Sequence, residues 1–169
     1  MRPTPSDELD ESELARFGLS RETDLRLDRE GDFYSGQQPV AHPGTAAAFA
    51  RWIVRAPDGR YALRNDLHYV YLTVEGAPLH ARRAAGTPPA PPVLELTGGE
   101  SEPLRPETLR RDPEGVLYAA GRDGSWAIRL SPQATLDLAP WLEEDEDDVV
   151  LRVAGRRWRI PEVDDPLQG

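Results

Sequence analysis

The sequence contains no cysteine, no lysine and no long apolar stretch. The absence of cysteine excludes disulfide bonds, thiolate nucleophiles and thiolate zinc sites. No run of about 18 apolar residues is present, and the first twelve residues lack the apolar core of a secretory signal. We therefore expect a cytoplasmic protein that does not associate with membranes.

Acidic residues outnumber basic ones by 30 to 20, which gives a net charge of −10 and a pI near 4.8. Such a protein is repelled by the phosphates of nucleic acids, so we expect no nucleic-acid partner. Arginine without lysine is compatible with bidentate anion recognition. The abundant alanine, glycine and proline favour a GC-rich genome as the simpler reason for this bias.

One ten-residue pattern occurs twice in the chain. LRLDREGDFY at residues 25–34 and LRRDPEGVLY at residues 109–118 share six identical positions at a constant offset of 84. In both copies an Asp-x-Glu-Gly tetrapeptide, beginning at Asp28 or Asp112, is typical of a type I turn. A short strand-like run follows each turn, so the repeated pattern predicts a hairpin.

The correspondence continues beyond the hairpins. Pro43 lies nine residues before Trp52, and Pro132 lies nine residues before Trp141. Both intervening segments have apolar residues at helical spacing, and proline suits the first helical turn. Pro140 predicts that the second helix ends early or is kinked. Strand pairs follow both helices.

These elements predict an α+β fold of two similar half-units, each an antiparallel β hairpin followed by a helix and β strands. One half-unit cannot cover both faces of its sheet, so we expect the two to pack with pseudo-twofold symmetry. The predicted organisation is an acidic N-terminal segment with a short helix at 1–20, a first repeat at 21–86, a Pro/Gly-rich linker with a short strand at 87–104, a second repeat at 105–161 and a C-terminal tail at 162–169.

The sequence contains no recognisable catalytic or cofactor-binding motif. It lacks H-x-x-x-H and H-E-x-x-H spacings, G-x-S-x-G, and the glycine-rich loops that bind nucleotide phosphates. The acidic run from Glu143 to Asp148 lacks the spacing and the turn glycine of a calcium loop, and charge runs usually face water. We therefore expect no metal and no cofactor.

His68 is the one histidine whose surroundings merit a test. Strand alternation places it on the same face as Val70 and Leu72, where a hydrogen-bonded core histidine is the more common interpretation. The alternative is a general base oriented by Asp66 or Glu75. No nucleophile or oxyanion device accompanies it, so the sequence favours a protein that is not an enzyme.

The sequence resembles an uncharacterised bacterial family, the domain of unknown function DUF1285. The resemblance covers roughly residues 25–160, and its specific motifs are LDREGDFYSGQQPV and DGRYAL…LTVEGAPLHA. The second half is more weakly similar to the same family and to another uncharacterised family. The positions that match the DUF1285 motifs are Gly31, Tyr34, Pro39, Gly59, Tyr61, Leu63, Val74, Glu75, Ala77 and Pro78.

The resemblance implies two structurally similar α+β halves and a regulatory or signal-transduction role. The chain departs from the family at residues 65–69, where its relatives resemble Thr-Pro-x-Glu-Lys, and at Gly76, where they have aspartate. These departures imply a ligand different from that of the relatives.

Three functional hypotheses remain open. The first is a non-enzymatic binding or regulatory module that takes a small ligand or a protein partner at the junction of its half-units. The second is a small hydrolase-like enzyme that uses His68 with Asp66 or Glu75. The third is a structural subunit of an assembly, whose acidic segments contact an arginine-rich partner; a homodimer also stays open. The residues predicted to bind the ligand in the first hypothesis are Arg64, Asn65, His68, Tyr69, Arg129 and Trp158.

Overall fold

A computed structural model describes residues 10–168 of the chain. The chain divides into two compact units, Met1–Gly76 and Ala77–Gly169. The elements of the first unit are α1 (Glu11–Arg16), β1 (Leu25–Leu27), β2 (Phe33–Ser35), β3 (Gln38–Pro39), α2 (Pro43–Trp52), β4 (Ile53–Arg55), β5 (Tyr61–Arg64), β6 (Tyr69–Tyr71) and β7 (Thr73–Val74).

The first unit contains two small sheets. One has the strand order β3-β2-β1-β7, in which β1 and β7 are parallel, and the other is the antiparallel meander β4-β5-β6. Apolar residues from α1 and from both sheets are buried, which stabilises the unit by removing apolar surface from water. These residues are Leu14, Leu27, Phe33, Ile53, Ala56, Ala62, Leu63 and Leu72.

The second unit is built on a larger sheet with the order β10-β9-β8-β13-β12-β11, in which β8 and β13 are parallel, and on the meander β14-β15-β16. Its largest fully buried side chains are Leu94, Leu109, Ile128, Leu130, Leu138, Trp141 and Leu151. Its elements are β8 (Leu79–Ala85), β9 (Val93–Leu96), β10 (Ser101–Pro103), β11 (Arg110–Arg111), β12 (Leu117–Gly121), β13 (Trp126–Leu130), α3 (Pro132–Asp137), β14 (Leu142–Asp145), β15 (Asp148–Val153) and β16 (Arg156–Arg159).

The repeated ten-residue pattern forms the same turn in both units, as predicted. In each turn the aspartate Oδ1, of Asp28 or Asp112, accepts the backbone N–H groups two and four residues later at 2.8 to 3.0 Å. The glycines at the fourth position, Gly31 and Gly115, have φ of 96° and 87°, which L side chains rarely adopt. The repeated sequence therefore specifies the same local turn twice, through its aspartate and its glycine.

The helices α2 and α3 also begin as predicted. Pro43 and Pro132 occupy the first turns of α2 and α3. The α-helical part of α3 stops at Asp137, and a 3₁₀ turn follows at Ala139–Trp141. Proline at position 140 cannot donate a backbone hydrogen bond, so the early end confirms the prediction made from it.

The α+β class is confirmed, whereas the predicted pseudo-twofold symmetry is not. Both units contain three consecutive strands, a helix and three further strands, namely β1–β3, α2 and β4–β6 in the first and β11–β13, α3 and β14–β16 in the second. However, β7 pairs with β1, the first strand of its triplet, and β8 pairs with β13, the third. The two corresponding tryptophans also differ, because Trp52 is 37% exposed and Trp141 only 2%.

The stretch predicted as a linker at 87–104 is folded into the second unit. It contributes β9 and β10 to the six-stranded sheet, and the proline-rich residues 88–92 connect β8 to β9, which pair antiparallel. The Ala90 carbonyl accepts the Trp141 Nε1–H at 2.7 Å. The prolines therefore stiffen the connection of a hairpin rather than separate two halves.

Both ends of the described chain are attached to their units. The predicted N-terminal helix is α1, which ends before Gly18 at φ 67° and buries Leu14. Leu9, which belongs to the same predicted segment, lies outside the described residues. In the predicted C-terminal tail, Val163 N–H donates to the Arg111 carbonyl at 2.9 Å, so the tail is fixed at least to that point.

Asp137, the last residue of α3, accepts from the Arg83 Nε at 2.7 Å, the Gln133 Nε2 at 2.9 Å and the Ala84 backbone N–H at 3.1 Å. The Arg83 guanidinium, and after it the Gln133 and Ala84 donors, lower the pKa of Asp137 from 3.8 to about 2. A depressed carboxyl pKa stabilises the fold above the unfolded value, and this stabilisation is lost as the pH falls.

We therefore expect Asp137→Asn to be less stable than the wild type at pH 7. The difference in melting temperature should shrink between pH 4 and pH 2, because the wild-type carboxylate becomes protonated over that range. Thermal unfolding at half-unit pH steps measures this difference. In an Arg83→Gln background, the stability difference at pH 7 between chains with and without the Asp137→Asn change should also be smaller. A difference that stays constant with pH would contradict the role assigned to the Asp137 carboxylate.

Candidate functional site

The first unit contains a small pocket between α2, β1 and the β5–β6 connection, which we call the α2 pocket. Its cavity volume is about 70 Å³. It is lined by Leu25, Phe49, Trp52, Leu63, Asn65, His68 and Val70.

The apolar wall of the α2 pocket follows from two regular spacings. Phe49 and Trp52 are three residues apart on α2, which places them on one face of the helix, with their ring centroids 6.0 Å apart. Leu63 on β5 and Val70 on β6 are directly opposite each other in the antiparallel register, so their side chains share one face of the sheet. The helix face and the sheet face together leave the pocket between them.

The polar edge of the pocket is a turn specified by Asn65. The Asn65 Oδ1 accepts the backbone N–H of Leu67 at 2.8 Å and that of His68 at 3.0 Å. Asparagine commonly forms such a turn by bonding to the backbone two residues on. Residues 65–68 are therefore a turn, and the strand predicted to include His68 begins only at Tyr69.

His68 contributes an unsatisfied ring nitrogen to this edge. Its Nδ1 is buried and has no hydrogen-bond partner among the described residues. A buried polar atom without a partner costs about 1–3 kcal/mol, and such atoms in native proteins call for an explanation such as a ligand or an ordered water. The ring lies beside Val70 in the pocket, on the face that alternation predicted.

The acids predicted to orient His68 do not do so. Asp66 is exposed in the turn, and the Glu75 carboxylate accepts from Arg26 at 3.2 Å. Within residues 10–168 no carboxylate bonds to the buried Nδ1. A general base needs an orienting group within hydrogen-bond reach, and this geometry does not supply one.

The fold relates the chain to two solved structures. A DUF1285 family protein from Silicibacter pomeroyi DSS-3 superposes with a TM-score of 0.62 at 19% identity, over 82% of this chain and 80% of that one. A DUF1285 family protein from Shewanella baltica OS155 superposes with a TM-score of 0.55 at 17% identity, over 71% of this chain and 93% of that one. The chain has the fold of DUF1285 family proteins. No protein-family model and no curated protein matches it.

The resemblance to DUF1285 family proteins that the sequence motifs predicted is thus confirmed at the level of the fold. Of the matched motif positions, Leu63 lines the α2 pocket, Tyr61 precedes it on β5, and Gly59 forms the turn before that strand with φ 88°. Asn65 and His68, which depart from the family motif, form the polar edge of the pocket.

The other residues that the sequence analysis predicted to bind a ligand do not line the α2 pocket. Arg64 and Tyr69 are cross-strand partners beside the Leu63–Val70 pair, so their side chains project to the opposite face of the sheet. In the second unit, Arg129 lies on β13, and Trp158 on β16 packs against the apolar core. That these residues converge with the first unit at a junction stays a prediction.

Sequence reasoning missed the apolar members of the site. Phe49 and Trp52 are among the apolar residues at helical spacing that predict α2, and α2 buries none of its residues fully. An aromatic pair on a ten-residue helix that starts with Pro-Gly-Thr-Ala-Ala-Ala was the available signal. The alanines of α2 are too small to cover a sheet alone, so the aromatic rings are the side chains expected to contact it.

Part of the acidic run at Glu143–Asp148 forms ion pairs within the second unit. Glu143 contacts Arg152 at 2.8 Å and Arg157 at 3.5 Å, and Asp145 contacts Arg157 at 3.7 Å. The Arg152 guanidinium lowers the pKa of Glu143. Within the described residues, no group of three or more His, Asp or Glu side chains is arranged to hold a metal ion, and no helix is long and apolar enough to cross a membrane.

Proposed function

We propose that the chain is a non-enzymatic regulatory module that binds a protein partner by taking into the α2 pocket one of its side chains that has both an apolar and a hydrogen-bonding group, as threonine does. The observation that carries the proposal is the buried Nδ1 of His68, which has no partner among the described residues and borders an apolar cavity. A bound group that offers a hydrogen bond to this nitrogen removes the penalty of leaving it unpaired.

The size of the pocket supports a side chain rather than a metabolite. Small-molecule sites are clefts of about 300–1,000 Å³, and an engineered cavity of roughly 150 Å³ holds a benzene ring. The α2 pocket has a volume of about 70 Å³, which fits the end of one small side chain. Protein interfaces commonly place an anchor residue in a pocket of this kind.

Exposed apolar groups beside the pocket extend the contact surface. Trp52 is 37% exposed, and Leu67, in the turn between Asn65 and His68, is 64% exposed. A large apolar side chain held in water next to an apolar pocket is typical of an interaction surface. The partner side chain therefore reaches the pocket between an indole ring and a leucine.

The pocket is tested with 2-propanol, which combines a branched apolar group with a hydroxyl. We expect a titration of the full chain to shift the NMR signals of the His68 ring and of the Leu63 and Val70 methyl groups. His68→Leu should weaken binding about fivefold, because a hydrogen bond contributes about 1 kcal/mol. Val70→Phe should fill the pocket and abolish binding, whereas Leu136→Phe, at a 69% exposed position on α3 of the second unit, should retain it.

The same variants test the protein partner. A protein that is captured from the organism's own lysate by the wild type and by Leu136→Phe, but not by Val70→Phe, supports the proposal. Equal 2-propanol shifts in the wild type and Val70→Phe, or shifts confined to residues outside the pocket, would contradict it. Circular dichroism of each variant establishes that the fold is retained.

A further inference from the structure

The meander β14-β15-β16 of the second unit ends in an edge strand of unusual composition. This strand, β16, has the sequence Arg-Arg-Trp-Arg, and its three arginines are exposed while Trp158 is half-buried. It pairs with β15 on one side only, and its other side forms no backbone hydrogen bond within the described residues. An open edge of this kind is a template for an added strand.

The turn before β16 determines which backbone groups face outward. Ala154 and Gly155 form a two-residue turn with φ of 52° and 77°, and Arg156 is opposite Val153. In a two-residue hairpin the residues that flank the turn bond to each other, and the bonding direction then alternates. The N–H and C=O groups of Arg157 and Arg159 therefore point away from β15.

Charge distinguishes β16 from the other edge of the same sheet. Arg157 is compensated by Glu143 and Asp145, but neither Arg156 nor Arg159 forms a salt bridge within residues 10–168. Arg156 instead stacks on the Trp158 ring at 4.4 Å. The opposite edge, β14, has the sequence Leu-Glu-Glu-Asp. One sheet thus presents an acidic edge and a basic edge.

Three other strand edges in the described chain are less open. Pro39 lies in the edge strand β3 and Pro103 in the edge strand β10, and proline removes a donor from the edge. The outer edge of β6 is covered, because Tyr71 N–H donates to the Arg21 carbonyl at 2.7 Å and Thr23 Oγ1 donates to the Tyr71 carbonyl at 2.7 Å. β16 therefore combines an uncovered edge with excess positive charge.

We propose that β16 binds an extended acidic segment of a partner protein as an added strand. The main chain of the segment pairs with the outward N–H and C=O groups of Arg157 and Arg159, as in other strand-addition complexes. Acidic side chains at alternate positions lie opposite these two arginines, and the apolar residue between them contacts Trp158 on the other face. The recognised chemistry is therefore an acid–apolar–acid sequence in extended conformation.

The test uses the full chain and the capped peptide Glu-Val-Glu-Val-Glu-Val as a probe. We expect peptide binding to slow hydrogen exchange of the Arg157 and Arg159 amides by about tenfold, with no change along β14. Binding should weaken as salt is raised, because the attraction is between exposed charges. The peptide Lys-Val-Lys-Val-Lys-Val should not bind, and equal binding of both peptides would overturn the proposal.

Matched variants separate backbone pairing from charge. Arg157→Pro removes an outward N–H and should reduce peptide affinity about tenfold or more, whereas Arg157→Gln keeps the N–H and should reduce it only a few-fold. Glu144→Pro makes the same change at the corresponding outward position of β14 and should leave affinity unchanged. Wild-type affinity in Arg157→Pro, or no binding of the acidic peptide at millimolar concentration, would overturn the proposal.

Sedimentation of the chain without peptide tests whether a second copy of the chain occupies the open edge of β16. A monomer with exchanging Arg157 and Arg159 amides supports the acidic-segment proposal. A dimer in which these amides are already protected would show that a second copy covers β16, and would overturn it. If Arg157→Pro fails to fold, the exchange pattern of the wild type and the affinity of Arg157→Gln still decide the question.

Discussion

Replacing Trp141 by alanine is expected to lower the free energy of unfolding by about 3–5 kcal/mol, the range found when a large aromatic side chain is removed from a core. The ring is 2% exposed and lies in the apolar cluster of the second unit with Leu138 and Leu151. The variant also loses the hydrogen bond from Nε1 to the Ala90 carbonyl. Urea unfolding followed by circular dichroism measures the loss.

Two further variants make this prediction specific. Trp141→Phe keeps an aromatic ring but not the Nε1–H, so it should lose about 1–2 kcal/mol. Trp52→Ala is the matched change at the corresponding position of the first unit, and it should lose only about 1 kcal/mol because the side chain is 37% exposed. Equal losses for Trp52→Ala and Trp141→Ala would mean that the two environments are equivalent, contrary to the structure.

The parts of the fold that are determined locally were predictable from the sequence. Each Asp-x-Glu-Gly turn is held by hydrogen bonds from one aspartate to backbone groups within four residues, so its signal is contained in the tetrapeptide and its neighbours. The starts of α2 and α3 at Pro43 and Pro132 are local in the same sense. The order of strands and helix in each unit follows from such signals.

Strand partners were not predictable, because they depend on residues far apart in the chain. β8 was assigned to the first repeat, yet it pairs with β13, and nothing near residues 79–85 specifies that partner. The proline-rich stretch resembled a linker because proline favours extended chain in either role. The α2 pocket was missed for the same reason, since Phe49 and Val70 meet only through the tertiary fold.

The prediction that Asp66 and His68 lie on a strand was wrong, although the sequence contains a signal for a turn there. Asparagine followed by aspartate is typical of a turn, and Asn65-Asp66 lies between two strand-like runs. Strand alternation was extended through this turn to Asp66 and His68, which produced the predicted base–orienter pair. The turn places Asp66 in solvent and His68 in the pocket.

Arg21 is the second residue whose replacement should strongly lower the free energy of unfolding, because its side chain contacts both α1 and β6. Its side chain is 7% exposed, its Nε donates to Glu11 at 2.7 Å, and its guanidinium lies 3.8 Å from the centre of the Tyr69 ring. It also donates to the Tyr69 carbonyl at 3.0 Å. A six-residue helix is not stable in isolation, so α1 depends on contacts of this kind.

We expect Arg21→Ala to lower the free energy of unfolding by about 2–3 kcal/mol, since it leaves the Tyr69 carbonyl without its donor and removes packed methylene groups. Hydrogen exchange should show loss of protection in α1. Glu11→Gln is the control, because Glu11 is 78% exposed and an exposed ion pair contributes about 1 kcal/mol or less. A loss in Glu11→Gln as large as in Arg21→Ala would assign the effect to the ion pair, whereas a small loss assigns it to the buried contacts that Arg21 makes with Tyr69.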